Sequence, residues 1–335
     1  MTVLYHLTIP QPSHPLLDAT VQEAESLRAQ FGGRTLYVNP ARRPGFRYPE
    51  RLYGLQALPR LWVLERDARL HHVYNPHPLL FPYLRLLRRP VIYTITAGLR
   101  PGQPPAHVEG LRRLTAVVVS NAQDRAILQG WGLDNARVVR PGIDTDRFQA
   151  APPPPGPGFV LLAGSAPWTA AQFQTKGVTA LLDAAAARSD LRLVFLWRGS
   201  LVEQLHEAIA RRGLADRVEV IDRIVDANRV LARVHGAVVL ADTPTLVKAF
   251  PHSLLEALVT GRPVLVSRAL PMADYVERTG CGRVVERVDA ADVLAALARL
   301  EADYDAHRSA ALEMGRRDFS RRGLLEAYGE LYALA

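Results

Sequence analysis

Ala150-Ala151-Pro152-Pro153-Pro154-Pro155-Gly156-Pro157-Gly158-Phe159-Val160-Leu161-Leu162-Ala163-Gly164 is the stretch that decides how this chain of 335 residues is organised. Four consecutive prolines favour extended polyproline geometry and continue neither a helix nor a central strand. An apolar strand over 159–164 follows at once, and strand–helix alternation starts again. Downstream, helices are expected over 178–188, 201–212 and 253–260, with strands at 192–197, 217–221, 237–241 and 263–267. Upstream, the first strand is expected at 3–8, before a proline-rich turn. A helix at 16–31 then carries Leu17, Val21, Ala24 and Leu27 on one face and stops at Gly32-Gly33. Short apolar runs at 35–39, 61–64, 72–74, 91–94 and 116–120 read as further strands. Alternation of this kind implies parallel sheets with helices on both faces. The expectation is an α/β protein of two doubly wound domains, 1–150 and 151–319. A terminal helix around 320–335, clearest over 323–334, crosses back to complete the first.

Hydrophobic residues at 48% and charged residues at 22% exclude disorder as the main state. No run approaches the ~18 apolar residues of a membrane-spanning helix. The opening Met1-Thr2-Val3-Leu4-Tyr5-His6 lacks the basic-then-apolar order of a secretory signal. Cys281 is the sole cysteine, so no internal disulfide or zinc site is expected. These features point to a cytoplasmic protein. Residues 1–150 carry 19 basic and 11 acidic side chains, whereas 151–335 carry 22 of each. The whole excess of +8 therefore sits in the first half, which suits an anionic partner or peripheral contact with a membrane surface there. Nucleic acid is disfavoured, because no basic run with interleaved aromatics or RNA-binding motif is present. Only two lysines occur, Lys176 and Lys248, against 39 arginines. A compact, flexible ammonium is thus confined to two places.

The most informative motif runs Lys248-Ala249-Phe250-Pro251-His252-Ser253-Leu254-Leu255-Glu256-Ala257-Leu258-Val259-Thr260-Gly261-Arg262-Pro263-Val264-Leu265-Val266-Ser267. Pro251 suits the first position of a helix. The amino end of that helix offers N–H groups and positive partial charge to a phosphate or diphosphate. Glu256, five residues further on, is able to accept two hydroxyl hydrogen bonds, such as a ribose offers.

This segment resembles the Glu-x7-Glu motif of family-4 retaining glycosyltransferases, usually E-G-F-P-x-x-L-L-E-A-x-x-x-G-x-P-V. Other elements agree in order. Val138-Val139-Arg140-Pro141-Gly142-Ile143-Asp144-Thr145-Asp146-Arg147-Phe148 is similar to V-I-P-N-G-V-D-x-x-x-F. Gly164 with Thr175-Lys176-Gly177 is similar to a G…K-G phosphate-binding element. Val117-Val118-Val119-Ser120 resembles the strand ending the first domain's sheet, and Cys281-Gly282-Arg283-Val284-Val285 the G-x-G-x-V-V turn. Residues 316–331 resemble the terminal R-F-S…E-x-Y-x-x-L-Y helix.

The resemblance implies the GT-B fold, two Rossmann-like domains facing each other across a cleft. It also implies a retaining transferase that moves a sugar from a nucleotide diphosphate, of UDP or GDP type, to a carbohydrate, lipid-linked or other hydroxyl acceptor. No further cofactor and no metal is implied, since cations and helix ends stabilise the departing diphosphate. By position, Lys176 contacts the diphosphate, Glu256 the ribose, and the backbone of Ala249, Phe250, Pro251, His252 and Ser253 the sugar and phosphate. Gly164 lies beside the phosphates and Ile224, after Arg223, near the base. Two positions depart from the pattern. Lys248 stands for the motif's first glutamate, turning an acceptor into a donor that suits the diphosphate or an acidic sugar. Thr96 stands for a histidine, and Pro12-Ser13-His14-Pro15 for a Gly-Gly loop.

Acceptor-side candidates in the first domain are His14, Asp18, Asn75, His77 and Thr96. Asp18 suits a helix start equally well, and Asn75-Pro76 a turn. Cys281 is expected to pack as a small apolar residue. Arg85-Leu86-Leu87-Arg88-Arg89 suits either an anionic surface or a solvated helix face. Two alternatives to a transferase stay open: a nucleotide-sugar-binding partner without turnover, and a nucleotide-sugar epimerase of the same architecture. A dinucleotide-dependent dehydrogenase is disfavoured, because no Gly-x-Gly-x-x-Gly turn follows either leading strand.

Overall fold

The computed structural model describes residues 2–15, 18–40, 49, 52–79, 81–156, 158–197 and 201–335. Two compact units result: Met1–Gly142 with Arg321–Ala335, and Ile143–Ser320. The first unit runs β1 (Val3–Leu7), α1 (Ala19–Phe31), β2 (Gly33–Tyr37), α2 (Leu58–Leu64), β3 (Leu70–Asn75), β4 (Val91–Ile95), β5 (Ala116–Val119), α3 (Ala122–Gly130) and β6 (Ala136–Val138). Its strands pair in the order β2-β1-β3-β4-β5-β6, every pair parallel. β1, β3, β4 and β5 are buried along their whole length, as expected of a parallel sheet covered on both faces.

The second unit contains β7 (Phe159–Ala163), α4 (Gln172–Thr175), α5 (Val178–Ala187), β8 (Leu191–Leu196), α6 (Val202–Arg211), β9 (Val218–Ile221), α7 (Ala227–Leu231) and β10 (Gly236–Val239). It continues through α8 (His252–Val259), β11 (Val264–Ser267), α9 (Met272–Thr279), β12 (Gly282–Val285), α10 (Ala290–Ala302) and α11 (Tyr304–Asp318). The sheet order is β12-β11-β10-β7-β8-β9, again all parallel. That is the dinucleotide-fold order, with its reversal between β7 and β10. One core, including Leu254 and Leu258 of α8 and Val276 of α9, covers one face of the sheet. Another, including Leu181, Leu205 and Leu297, covers the other.

The last helix, α12 (Arg321–Ala333), returns to the first unit, where Tyr328 and Tyr332 join the core formed by Val21, Leu27 and Tyr74. Polar side chains bind it there. The His72 ring lies 2.6 Å from the Tyr332 hydroxyl through Nδ1 and 2.8 Å from Thr94 Oγ1 through Nε2, and Thr94 meets the Tyr328 hydroxyl at 2.8 Å.

Three expectations need correcting. Residues 61–64 are helical, not a strand: Leu61 is fully buried while Trp62 and Val63 are 54% and 60% exposed, so one helical face is covered where a central strand would bury both. Short apolar runs do not distinguish these cases by periodicity. The units divide at Gly142/Ile143, not within the proline run. Guanidinium groups of Arg316, Arg308 and Arg262 donate to the carbonyls of Phe148, Ala151 and Pro152, which fastens that run to the second unit. Pro251 is the N-cap of α8 and not its first residue. Leu16 and Leu17 lie outside the described residues.

Candidate functional site

In an open parallel sheet, ligands bind beyond the strands' carboxyl ends where the strand order reverses. In the second unit that point lies past Ala163 of β7 and Val239 of β10. The turn Thr175-Lys176-Gly177 is held there. Asp242, just past β10, donates its N–H to the Thr175 carbonyl at 2.9 Å. Gly177 takes φ of 70° at the start of α5, and a Cβ there would lie 2.6 Å from Leu240 Cδ1. Only glycine meets both demands cheaply.

Lys176 is 6% exposed, an unusual setting for an ammonium. Its Nζ donates to the Ala166 carbonyl at 3.1 Å and lies 3.5 Å from Ser165 Oγ. Burial pushes its pKa down to about 8. No carboxylate pairs with it among the described residues. Neutral oxygens alone therefore receive a desolvated cation, an arrangement a phosphate would complete.

Gly164 brings α8 to the same place. A Cβ on Gly164 would sit 2.8 Å from Ser253 Cβ, so the end of β7 abuts the helix's first turn. Its N-cap, Pro251, supplies no side-chain cap, which leaves the partial positive charge of the helix start facing the strand terminus. Leu254 and Leu255 donate their N–H groups to the Pro251 carbonyl at 3.0 and 3.2 Å. Phe250 packs in an aromatic cluster with Tyr275 and Phe319, and Ala249 is buried, so both side chains are taken up by the core. Glu256 is half-buried three residues beyond Ser253 and shares its helix face. Lys248 is half-buried just before the helix, and Ile224 is 51% exposed between β9 and α7.

Gly164, Lys176 and Ser253 are thus brought together through named contacts, with Glu256 on the same face of α8. Sequence reading missed Ser165 and Ala166, which receive the ammonium, because a serine and an alanine carbonyl have no signature of their own. It also missed Ser267, whose Oγ accepts from Ala241 N–H and donates to the Ala241 carbonyl, locking the ends of β10 and β11 together. Trp168, 64% exposed on the loop that contains Ala166, gave no signal either.

In the first unit the strand order reverses between β1 and β3. Asp18 caps α1, accepting from the N–H groups of Thr20 and Val21 at 2.6 and 3.2 Å. Asn75 is buried at the end of β3. Its Oδ1 accepts from His77 N–H at 3.2 Å and its carbonyl from Thr96 N–H at 3.0 Å. Asn75, His77 and Thr96 therefore share the carboxyl edge of β3 and β4. His14 is exposed in the β1–α1 connection. Among the described residues no group of three or more His, Cys, Asp or Glu side chains is placed to hold a metal ion. Nor is any helix among them long and apolar enough to cross a membrane.

Comparison with solved structures shows the fold. HepE from Anabaena, solved with UDP, superposes with a TM-score of 0.74 at 16% identity over all of both chains. Sucrose-phosphate synthase from Thermosynechococcus elongatus gives 0.74 at 17%, over 99% of this chain and 98% of that one. This chain shares with both the fold of two Rossmann-like α/β domains. Among curated proteins, the MMP alpha-(1->4)-mannosyltransferase of Mycolicibacterium hassiacum is 27% identical over 190 residues, which is 55% of this chain and 44% of that enzyme. This chain thus matches less than half of that relative's length. Residues 169–317, the stretch that holds Lys176, Lys248 and Glu256, match the family described as glycosyl transferases group 1.

Proposed function

We propose that this chain is a retaining glycosyltransferase that takes a nucleotide-diphosphate sugar in its second unit. The observation that carries this reading is the Lys176 ammonium, buried at the sheet's reversal point among neutral oxygens and beside the uncapped first turn of α8. Lys176 and that turn stabilise the charge developing on the leaving diphosphate without a metal ion. Glu256 accepts hydrogen bonds from the ribose hydroxyls, and Ile224 borders the base. Lys248 faces the diphosphate or an acidic sugar. In the first unit, Asn75, His77 and Thr96, with His14 and Asp18, orient the attacking hydroxyl of a carbohydrate or lipid-linked acceptor. The basic excess of that unit suits an anionic acceptor or a membrane surface.

The test is a calorimetric titration with UDP, GDP and ADP, followed by incubation with the matching nucleotide sugars. One nucleotide is expected to bind saturably, and its sugar donor to be slowly hydrolysed without acceptor. Lys176→Met is expected to abolish both. Absence of binding by all three nucleotides would overturn the reading. Binding without any turnover would favour the second reading, a nucleotide-sugar-binding partner, to which the departures at Lys248 and Thr96 point.

A further inference from the structure

A second concave site lies in the first unit, at the opposite edge of the sheet from the residues discussed above. It encloses about 500 Å3 around the amino ends of β4 and β5, where Pro90-Val91 and Leu114-Thr115 enter the sheet. That volume falls within the range of small-ligand pockets. Leu84, Leu87 and Leu114 form part of its wall, and Arg85, Arg89 and Arg113 line it from two separate segments.

The charge pattern is the telling feature. In the second unit exposed guanidinium groups are matched to carboxylates at several places, Arg233 to Glu219, Arg268 to Glu277 and Arg283 to Asp303. Among the described residues no carboxylate lies within ion-pair distance of Arg85, Arg89 or Arg113. Glu109, the one acidic residue lining the pocket, sits 4.0 Å from His107 instead. The site is also held in shape. Arg88 N–H donates to Glu65 Oε1 at 2.7 Å, and Thr115 N–H donates to the Val91 carbonyl at 2.9 Å. His107 carries a left-handed backbone, φ 63°, on the segment that bounds the pocket. Such a conformation in a residue with a side chain is uncommon and persists only where its surroundings impose it.

We infer that this pocket binds a phosphate-bearing ligand, with Arg89 and Arg113 gripping the phosphate and the leucine wall covering the apolar part of the ester. Guanidinium groups offer the forked donors that suit phosphate oxygens. The phosphate comes either from a soluble compound or from an anionic lipid headgroup, and the two sources are separable by experiment. The inference does not depend on the proposed transferase activity.

The experiment uses the full chain carrying Lys176→Met, so that the candidate donor site lacks its buried ammonium. Inorganic phosphate is followed by equilibrium dialysis. In parallel, the protein is sedimented with vesicles of equal parts phosphatidylglycerol and phosphatidylcholine, and with pure phosphatidylcholine vesicles. Saturable phosphate binding that weakens about tenfold in Arg89→Ala and in Arg113→Ala, and vanishes in the double variant, assigns a soluble ligand. Sedimentation with the phosphatidylglycerol vesicles only, lost in the double variant, assigns a headgroup. These side chains are exposed, so the variants are expected to keep the parent melting temperature; Arg113→Lys, which keeps charge but not the fork, should weaken binding less than Arg113→Ala. If neither probe binds, or if binding is undiminished in the double variant, the inference fails.

Discussion

Lys176 bears a cost that its surroundings do not repay. An ammonium whose pKa falls from 10.5 to about 8 is destabilised on folding by an energy on the order of 3 kcal/mol at neutral pH. Below pH 8 the lysine is charged in both folded and unfolded chains and the full cost is present. It is relieved between pH 8 and 10.5, where the folded lysine is neutral and the unfolded one is not. Lys176→Met should therefore raise the melting temperature of the ligand-free protein at pH 7 by several degrees while lowering nucleotide affinity at least a hundredfold. A melting temperature that falls would contradict the desolvation argument. The same group sets the pH dependence of binding. A bound diphosphate restores the ammonium, so nucleotide binding near pH 8 should take up a fraction of a proton, and affinity should decline above that pH. Titration calorimetry in two buffers of different ionisation enthalpy measures the uptake directly; equal heats in both would refute it. Lys176 was legible in the sequence because it is one of two lysines and adjoins a glycine opening a helix. Its partners were not, since an alanine carbonyl becomes a ligand only through where the chain folds.

At the level of elements, α12 is the piece whose place depends most on specific polar contacts. Tyr332 and Tyr328 bring their hydroxyls to His72 and Thr94 within the core of the first unit. Tyr332→Phe removes a partner from a buried imidazole nitrogen, and about 1–3 kcal/mol of stability should be lost. Thermal unfolding with hydrogen exchange read over residues 321–333 checks this; unchanged protection there would mean that packing alone holds the helix. The sequence announced α12 by its helical pattern, and its position far past the last strand signal suggested a return to the first unit. Nothing in its pattern announced the histidine it would meet. The converse error occurred at α2, where four apolar residues in a row concealed a helix with one buried face. Arg262 shows the same limit: fully buried, it donates to the carbonyls of Leu231, Pro152 and Ala232, a structural role that a lone arginine before a proline does not reveal.

For the whole molecule, the two units should respond differently to acid. The first holds His6, His71 and His72 buried within strands β1 and β3, and burial lowers the pKa of all three, that of His72 to about 3. A hydrogen-bonded chain fits neutral rings. His71 Nε2 donates to Glu65, His6 Nε2 donates to His71 Nδ1, and the Tyr83 hydroxyl donates to His6 Nδ1. Unfolded histidines gain protons below about pH 6.5 while these do not, so the stability of the first unit should fall as pH drops from 6.5 toward 3. Hydrogen exchange at pH 7 and pH 5, corrected for the intrinsic rate, should show protection lost in β1, β3 and β4 before β7, β8 and β10; simultaneous loss would count against it. Two α/β units, their parallel strands and the amino end of α8 were all determined by the sequence itself. These features rest on local facts: apolar periodicity, proline and glycine chemistry, and the spacing of a helix start. Tertiary structure alone decided that the proline run is tied to the second unit, that the Lys176 ammonium rests on neutral oxygens, and that arginines 24 residues apart line one pocket. Each of these depends on segments distant in the chain sharing one place, and the energy of such a meeting is written in no single segment.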